Sequence, residues 1–295
     1  METINPALFE SKVKRLDIIR EDTIDTFVSG NKFRKLTYNL QKAKATGHTS
    51  LLTFGGAFSN HIAAVAAAGN RLRLNTIGVI RGEELAELQR NPTLKYAEEH
   101  GMQLHFVSRE AYKQKEAPEF ISRLKDTFGD FYLLPEGGTN DLAVKGCEEI
   151  LGERTHEYDY ICTSAGTGGT MAGLVRASER HQQVIGFSAL KGAFQVSEIK
   201  KYTDKTNFTL LDTYCFGGYG KIDVGLVRFI NDFKKQTQIP LDPIYTGKMM
   251  YGICDLAQNG FFEADSKILA IHTGGLQGIK GMNEKLSRKN IPQIE

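Results

Sequence analysis

Short apolar runs alternate with amphipathic stretches along most of this 295-residue chain. "TSLLTFGG" precedes "SNHIAAVAAAGN", "LNTIGVIRG" precedes "LKYAEEHG", "QLHFVS" precedes "PEFISRLKDTFG", and "FYLLPEGG" precedes "LAVKGCEEILG". Further on, "YDYICTSAGTGG" leads into "TMAGLVRASERH", "QVIGFSAL" follows, and "KILAIHTGG" ends the series. The runs are rich in β-branched and aromatic residues and almost continuous in apolar character, which predicts parallel strands buried on both faces. Alternation of such strands with helices predicts an α/β fold. Two doubly wound units with a cleft between them would put functional groups at the carboxyl ends of the strands.

Near the N-terminus, "SGNKFRKLTYNL" places a Gly-Asn turn before a helix whose apolar face is Phe33, Leu36 and Leu40. Lys32 and Lys35 are neighbours on another face, at the very start of that helix. Cations are favoured at helix C-termini, so two lysines at an N-terminus require a reason.

Composition narrows the function classes. Hydrophobic residues make up 41% and charged residues 24%, and the net charge of +2 gives no basis for a nucleic-acid footprint. Cys147, Cys162, Cys215 and Cys254 are scattered, without metal-ligand spacing, which predicts reduced thiols and no metal centre. The N-terminal residues show no signal peptide, and the longest small-apolar run, "IAAVAAAG", is too short to span a bilayer. A soluble cytoplasmic protein with no membrane partner is expected.

Three strand-to-helix junctions carry candidate chemistry. "SAGTGGT", Ser164 to Thr170, follows an apolar strand and opens a helix, so its backbone N–H groups can cradle a phosphate. It is neither a dinucleotide fingerprint, because position 171 is Met171, nor a Walker A loop, because no Gly-Lys-Ser/Thr follows. In "GGAFSNHIAA", Ser59 is placed to cap the next helix, and a functional hydroxyl is equally open there. "HTGGLQG" sets Thr273 between His272 and two glycines. Tyr219 in "CFGGYGK" and Tyr245 in "DPIYTGKMMYG" complete the set. A phosphate pocket, a lysine at a helix start, and Asn, Ser, Thr and Tyr side chains together point to pyridoxal 5′-phosphate as cofactor. A lysine at a positively polarised helix start is biased toward the neutral amine that Schiff-base exchange needs.

The chain resembles the 1-aminocyclopropane-1-carboxylate deaminase/D-cysteine desulfhydrase family of fold-type II, tryptophan synthase β-like enzymes. "REDTIDTFVSGNKFRKL", "GGAFSNH", "PEGGTN", "TSAGTGGTMAG", "GGYGK", "DPIYTGKMMYG" and "HTGG" carry that resemblance, in order, over nearly the whole chain. It implies two doubly wound domains with the cofactor between them, a larger one from residues 1–45 and 141–295 and a smaller one from 46–140. It implies Lys32 as the Schiff-base lysine, Lys35 with Thr167, Gly168, Gly169 and Thr170 around the phosphate, and Asn60 on the ring oxygen. Ser59, Asn60 and His61 would bind substrate, Tyr219 and Tyr245 would face its reacting side chain, and Thr246 and Thr273 would stand near the cofactor. Relatives of this kind are typically homodimers.

The resemblance also implies a substrate. Deaminases of the cyclopropane amino acid carry Glu at the position of Thr246 and Leu at that of Thr273; threonines at both are the desulfhydrase pattern. The expected activity is therefore desulfhydration of D-cysteine to pyruvate, sulfide and ammonia. Deamination of 1-aminocyclopropane-1-carboxylate, and deamination or racemisation of another small amino acid, are the enzymatic alternatives; a non-catalytic cofactor or amino-acid binder is the remaining one. Ala57-Phe58 before "SNH", "YGK" after the glycines and "LQG" after "HTGG" depart from the family's usual residues and border the expected substrate pocket.

Overall fold

The computed structural model describes residues 1–5, 12–25 and 28–295, so Thr26 and Phe27 of the "REDTIDTFVSGNKFRKL" motif lie outside the described residues. In chain order the elements are β1 (Glu2–Ile4), β2 (Arg15–Arg20), α1 (Asn31–Ala45), β3 (Ser50–Gly55), α2 (Asn60–Leu72), β4 (Asn75–Arg81) and α3 (Pro92–Glu99). Then come β5 (Met102–Val107), α4 (Arg109–Lys113), α5 (Pro118–Phe128), β6 (Tyr132–Leu134), α6 (Asp141–Glu148), β7 (Tyr160–Ala165) and α7 (Gly169–Ala177). The chain closes with β8 (Gln183–Ser188), α8 (Gln195–Lys200), β9 (Phe208–Leu211), α9 (Val224–Thr237), α10 (Thr246–Gln258), β10 (Lys267–His272) and α11 (Gly278–Ser287).

The strands form two sheets. One has the order β1-β2-β10-β7-β8-β9, and the other β5-β4-β3-β6. Every pairing is parallel except β1 with β2, which is antiparallel at the sheet edge. The α/β class read from the alternation is the fold observed. Strands β1, β2 and β9 add to it without a clear apolar signature: "RLDIIR" interrupts its run with Asp17, which is buried against Arg15 and Tyr158.

Packing explains the sequence pattern. Leu51, Leu52, Phe54 and Gly55 of β3 are all buried, as two covered faces require. Helix α2 is buried from His61 through Gly69, so its alanines serve close approach rather than amphipathicity. At Gly69 a Cβ would lie 2.1 Å from Thr76 Cγ2, and only glycine lets α2 sit this near β4. Loops at the carboxyl ends of β3, β6, β7 and β10 converge on a single cleft, the position an open parallel sheet reserves for ligands.

Candidate active site

Helix α1 is fixed at its first residue. Gly30 has φ 67° and ψ −149°, and a Cβ there would lie 2.0 Å from the carbonyl oxygen of Thr273. The next N–H, of Asn31, donates to that same oxygen at 3.1 Å. The end of β10 thereby sets where the two lysines stand. Lys32 Nζ donates to Asn31 Oδ1 at 3.0 Å, and Asn31 Nδ2 donates to Thr170 Oγ1 at 2.7 Å, linking the lysine to the "SAGTGGT" loop.

The electrostatics answer the question raised by two lysines at a helix start. Burial, reinforced by the positive charge of Lys35, pulls the Lys32 ammonium down to about 7. Lys35 is pulled down to about 8, again by burial. No acidic residue stands in the first turn of α1 to oppose either shift. Lys32 stays partly accessible through the cleft, whereas Lys35 is sealed. Its ammonium donates to Gly137 O at 3.0 Å, Thr139 Oγ1 at 3.0 Å and Thr167 Oγ1 at 3.4 Å. Thr139 and Thr167 meet at 2.7 Å, so Lys35 joins the "PEGGTN" and "SAGTGGT" loops beneath the cleft.

Gly168, at φ 88°, precedes α7 and offers no side-chain cap. The first-turn N–H groups of α7 therefore lack both intrahelical acceptors and a capping oxygen. With Lys35 nearby they make an anion cradle. Thr167, Gly168 and Thr170 line the cleft; Gly169 stands behind them, where a Cβ would meet Thr139 at 2.7 Å.

Ser59 caps its helix as one sequence reading expects, and it stands in the cleft, where the other reading would need it. Its Oγ accepts from Ile62 N–H at 3.3 Å as the cap of α2, and it also lines the cleft. Among the described residues its hydroxyl proton has no protein acceptor. The Asn60 side chain, beside Gly275, makes no hydrogen bond among the described residues either. His61 is buried against Gly138, and among the described residues neither ring nitrogen has a hydrogen bond of normal geometry, the Pro135 backbone being near enough only to act weakly on the ring. Burial first, then the charges of Lys32 and Lys35, hold this imidazole well below its usual range, so it is neutral.

Tyr219 and Tyr245 come from different segments and pair edge-to-face, with centroids 6.2 Å apart at 66°. The Tyr245 ring stands over Gly166. Burial raises Tyr245 well above its ordinary value, with Tyr219 adding to the shift, so it remains a phenol. Tyr219 is raised as well, mainly by burial, although the residue is 44% exposed at the mouth.

Thr273 lies where the sequence places it, in the cleft, with Oγ1 3.0 Å from Ser164 Oγ. Thr246 does not line the cleft. Its buried hydroxyl donates to Asp242 Oδ1 at 2.9 Å and accepts from the Asp242 N–H at 2.8 Å, while the Asp242 carboxylate accepts the N–H groups that lead into α10. Asn31, Gly137, Thr139, Ser164 and Asp242 were not singled out in the sequence. Each lies within a motif already quoted, which is the signal that could have found them.

The cleft encloses about 610 Å³, open solvent at its mouth included. An amine drawn toward neutrality, an anion cradle, unpartnered Asn60 and His61 groups and a hydroxyl pair at the wall fit a phosphorylated aldehyde. The fold and site thus define a cofactor enzyme of the lysine-linked, phosphate-anchored class. Residues 19–274 match the family model described as pyridoxal-phosphate dependent enzyme, and the chain belongs to that family, with pyridoxal 5′-phosphate as its cofactor. A protein of Pyrococcus horikoshii named "Putative 1-aminocyclopropane-1-carboxylate deaminase" is 32% identical over 91% of this chain and 87% of its own. An Arabidopsis thaliana protein named bifunctional D-cysteine desulfhydrase/1-aminocyclopropane-1-carboxylate deaminase, mitochondrial, is 30% identical over 89% of this chain and 72% of its own. A crystal structure described as an ACC deaminase homologue superposes with a TM-score of 0.83 at 28% identity, covering 98% of this chain and 94% of that one.

Proposed function

We propose that the protein is a D-cysteine desulfhydrase, converting D-cysteine and water to pyruvate, ammonia and hydrogen sulfide. One observation carries the choice: among the described residues no carboxylate lines the cleft, and the wall offers the neutral hydroxyls of Ser164 and Thr273. When bound, the cofactor supplies an electrophile for the substrate amine and a π-system that spreads the charge left by α-proton removal. Neutral hydroxyls assist that spreading less than a carboxylate would, so departure of a good leaving group such as thiolate fits better than opening a carbon ring.

The chain's own residues take the remaining roles. Lys32, drawn toward neutrality, takes the α-proton. Ser59 and Asn60 hold the substrate carboxylate at the start of α2, where the helix dipole favours an anion. Tyr219 and Tyr245, kept as phenols by burial, donate toward the departing sulfur. Residues 46–140 form the smaller domain and the rest the larger, the protein is a cytoplasmic homodimer, and Lys35 supports the cofactor phosphate. Among the described residues no helix is long and apolar enough to cross a membrane.

The cyclopropane substrate is the second reading, supported by the names of similar proteins. The test is a panel of D-cysteine, L-cysteine, D-serine and 1-aminocyclopropane-1-carboxylate with holoenzyme. Sulfide and pyruvate in equal amounts from D-cysteine are expected. 2-Oxobutanoate from the cyclopropane, without sulfide from D-cysteine, overturns the proposal, as does a protein that holds cofactor and turns over none of the four.

A further inference from the structure

Lys248 is a buried cation with no carboxylate bonded to it among the described residues. It lies in α10, three residues after Tyr245, and is 1% exposed between Gly247 and Met249. Met249 and Met250 beside it are also fully buried, so an unbranched apolar side chain suits this part of the helix. Its ammonium is spent on two backbone carbonyls, Cys215 O at 2.8 Å and Gly218 O at 3.0 Å. Burial of an ammonium costs free energy, and that cost calls for a reason.

The bonded loop gives one. Residues 215–220 carry Tyr219 and have φ of 51° at Phe216, 86° at Gly217, 117° at Gly218 and 64° at Gly220. Four left-handed residues in five make a backbone with little regular bonding of its own. Within it the Gly218 N–H donates to Cys215 O at 2.9 Å, and the Lys221 N–H donates to Gly218 O at 3.2 Å. Lys248 reaches the same two carbonyls from the helix side. Phe216 adds an edge-to-face contact with Tyr251 of α10, at 5.1 Å between centroids, and Lys285 of α11 donates to Gly220 O at 2.8 Å. Cys215, Asp242 and Lys285 are the titratable groups that act on the ammonium.

We propose that Lys248 is a positioning residue: it fastens the Tyr219 loop to the helix that carries Tyr245, and so sets the two phenols against each other in the cleft. One element then holds both tyrosines, Tyr245 at its N-cap and Tyr219 through the two carbonyls. The consequence for turnover rests on the reading of Tyr219 as a donor to the leaving group; the fastening itself does not.

The test combines hydrogen exchange of the holoenzyme with steady-state kinetics on D-cysteine for Lys248→Met, Lys248→Gln and Tyr219→Phe. In Lys248→Met, which keeps length and loses all donors, amides of 215–221 should exchange about tenfold faster or more while cofactor attachment at Lys32 is unchanged. Lys248→Gln keeps an amide donor and should recover part of the protection; it carries the test alone if the Met variant does not fold. The kcat loss of Lys248→Met should match that of Tyr219→Phe and should not deepen in the double variant. Unchanged exchange over 215–221 in either Lys248 variant overturns the proposal. Faster exchange with a fully active Tyr219→Phe supports the fastening and overturns only the donor role of Tyr219.

Discussion

Replacing Ser59 separates a structural bond from a functional one, because the oxygen and the proton of the same hydroxyl have different partners. The oxygen caps α2 through a 3.3 Å bond from Ile62 N–H, long for its class. Losing it in Ser59→Ala should cost about 0.5–1 kcal/mol, the lower part of the usual capping range. In a chain this long that amounts to roughly 2–4 °C in Tm or less. The proton, with no acceptor among the described residues, is the part available to a substrate carboxylate. A charge-assisted hydrogen bond contributes about 1.5–3 kcal/mol, so kcat/KM on D-cysteine should fall roughly 10- to 150-fold. Ser59→Asn and Ser59→Gly are the controls, since both cap tolerably well. All three variants should lose turnover, with cofactor attachment at Lys32 intact by borohydride trapping and peptide mass spectrometry. A Ser59→Asn protein equal to wild type in both melting and turnover would refute the substrate role and leave Ser59 as a cap.

Lys32→Ala should abolish borohydride-trapped cofactor, whereas Lys35→Met should keep the label on Lys32 and weaken cofactor affinity at least about tenfold, from loss of one charge-assisted contact; a label elsewhere in Lys32→Ala contradicts the assignment. Gly30→Ala would drive a methyl to 2.0 Å from the Thr273 carbonyl at a φ that only glycine adopts readily, so a loss of about 2–4 kcal/mol is expected, and an unshifted melt would count against the geometry. In the cofactor-free protein, Lys32 is lowered to about 7 and both Lys35 and Lys248 to about 8, against 10.5 for an ordinary lysine. Between those values the unfolded chain binds more protons than the folded one, so the contribution of these lysines to stability rises with pH. The Tm of the apoprotein should climb between about pH 7 and 8, before Cys147, Cys162 and Cys254, whose thiols burial pushes up, ionise in the unfolded chain at about 8.5 and oppose the trend; a Tm that falls from about pH 7 to 8 speaks against the buried-lysine account.

Sequence periodicity read the central strands and their helices because both sheets are covered, and covered parallel strands are apolar throughout. It missed β2 because Asp17 breaks the run; burial of that carboxylate depends on Arg15 and on Tyr158, which is distant in sequence. The lysines, the glycine loop, Ser59 and Thr273 were legible because each sits at a helix or strand end, where local chemistry shows. The ties between loops were not. Lys35 joining Thr139 to Thr167, or Thr273 O holding the start of α1, are contacts across more than a hundred residues that no local pattern encodes. Nor does spacing reveal that Ser164 and Thr273 share one wall of the cleft.

Thr246 shows how a motif can single out a position whose side chain turns away from the cleft. The resemblance sets a threonine here against the glutamate of cyclopropane deaminases, as if both faced the cofactor. In this structure the threonine turns to Asp242, whose carboxylate already accepts the N–H groups of Ile244, Tyr245 and Thr246. That capping carboxylate complements the positive end of α10 and fixes the residue just before it, Tyr245. A short hydroxyl can add a fourth bond to it. A glutamate could not, because two carboxylates in contact in a buried site repel each other, and the longer side chain would be driven away from Asp242. The consequence for specificity is steric and electrostatic together: threonine at 246 withdraws into the cap and leaves the cleft wall neutral, with Ser164 and Thr273 as its polar groups. A charged wall at this point therefore requires a side chain that Asp242 rejects, and on the proposed D-cysteine reading the neutrality suited to a good leaving group follows from the cap itself.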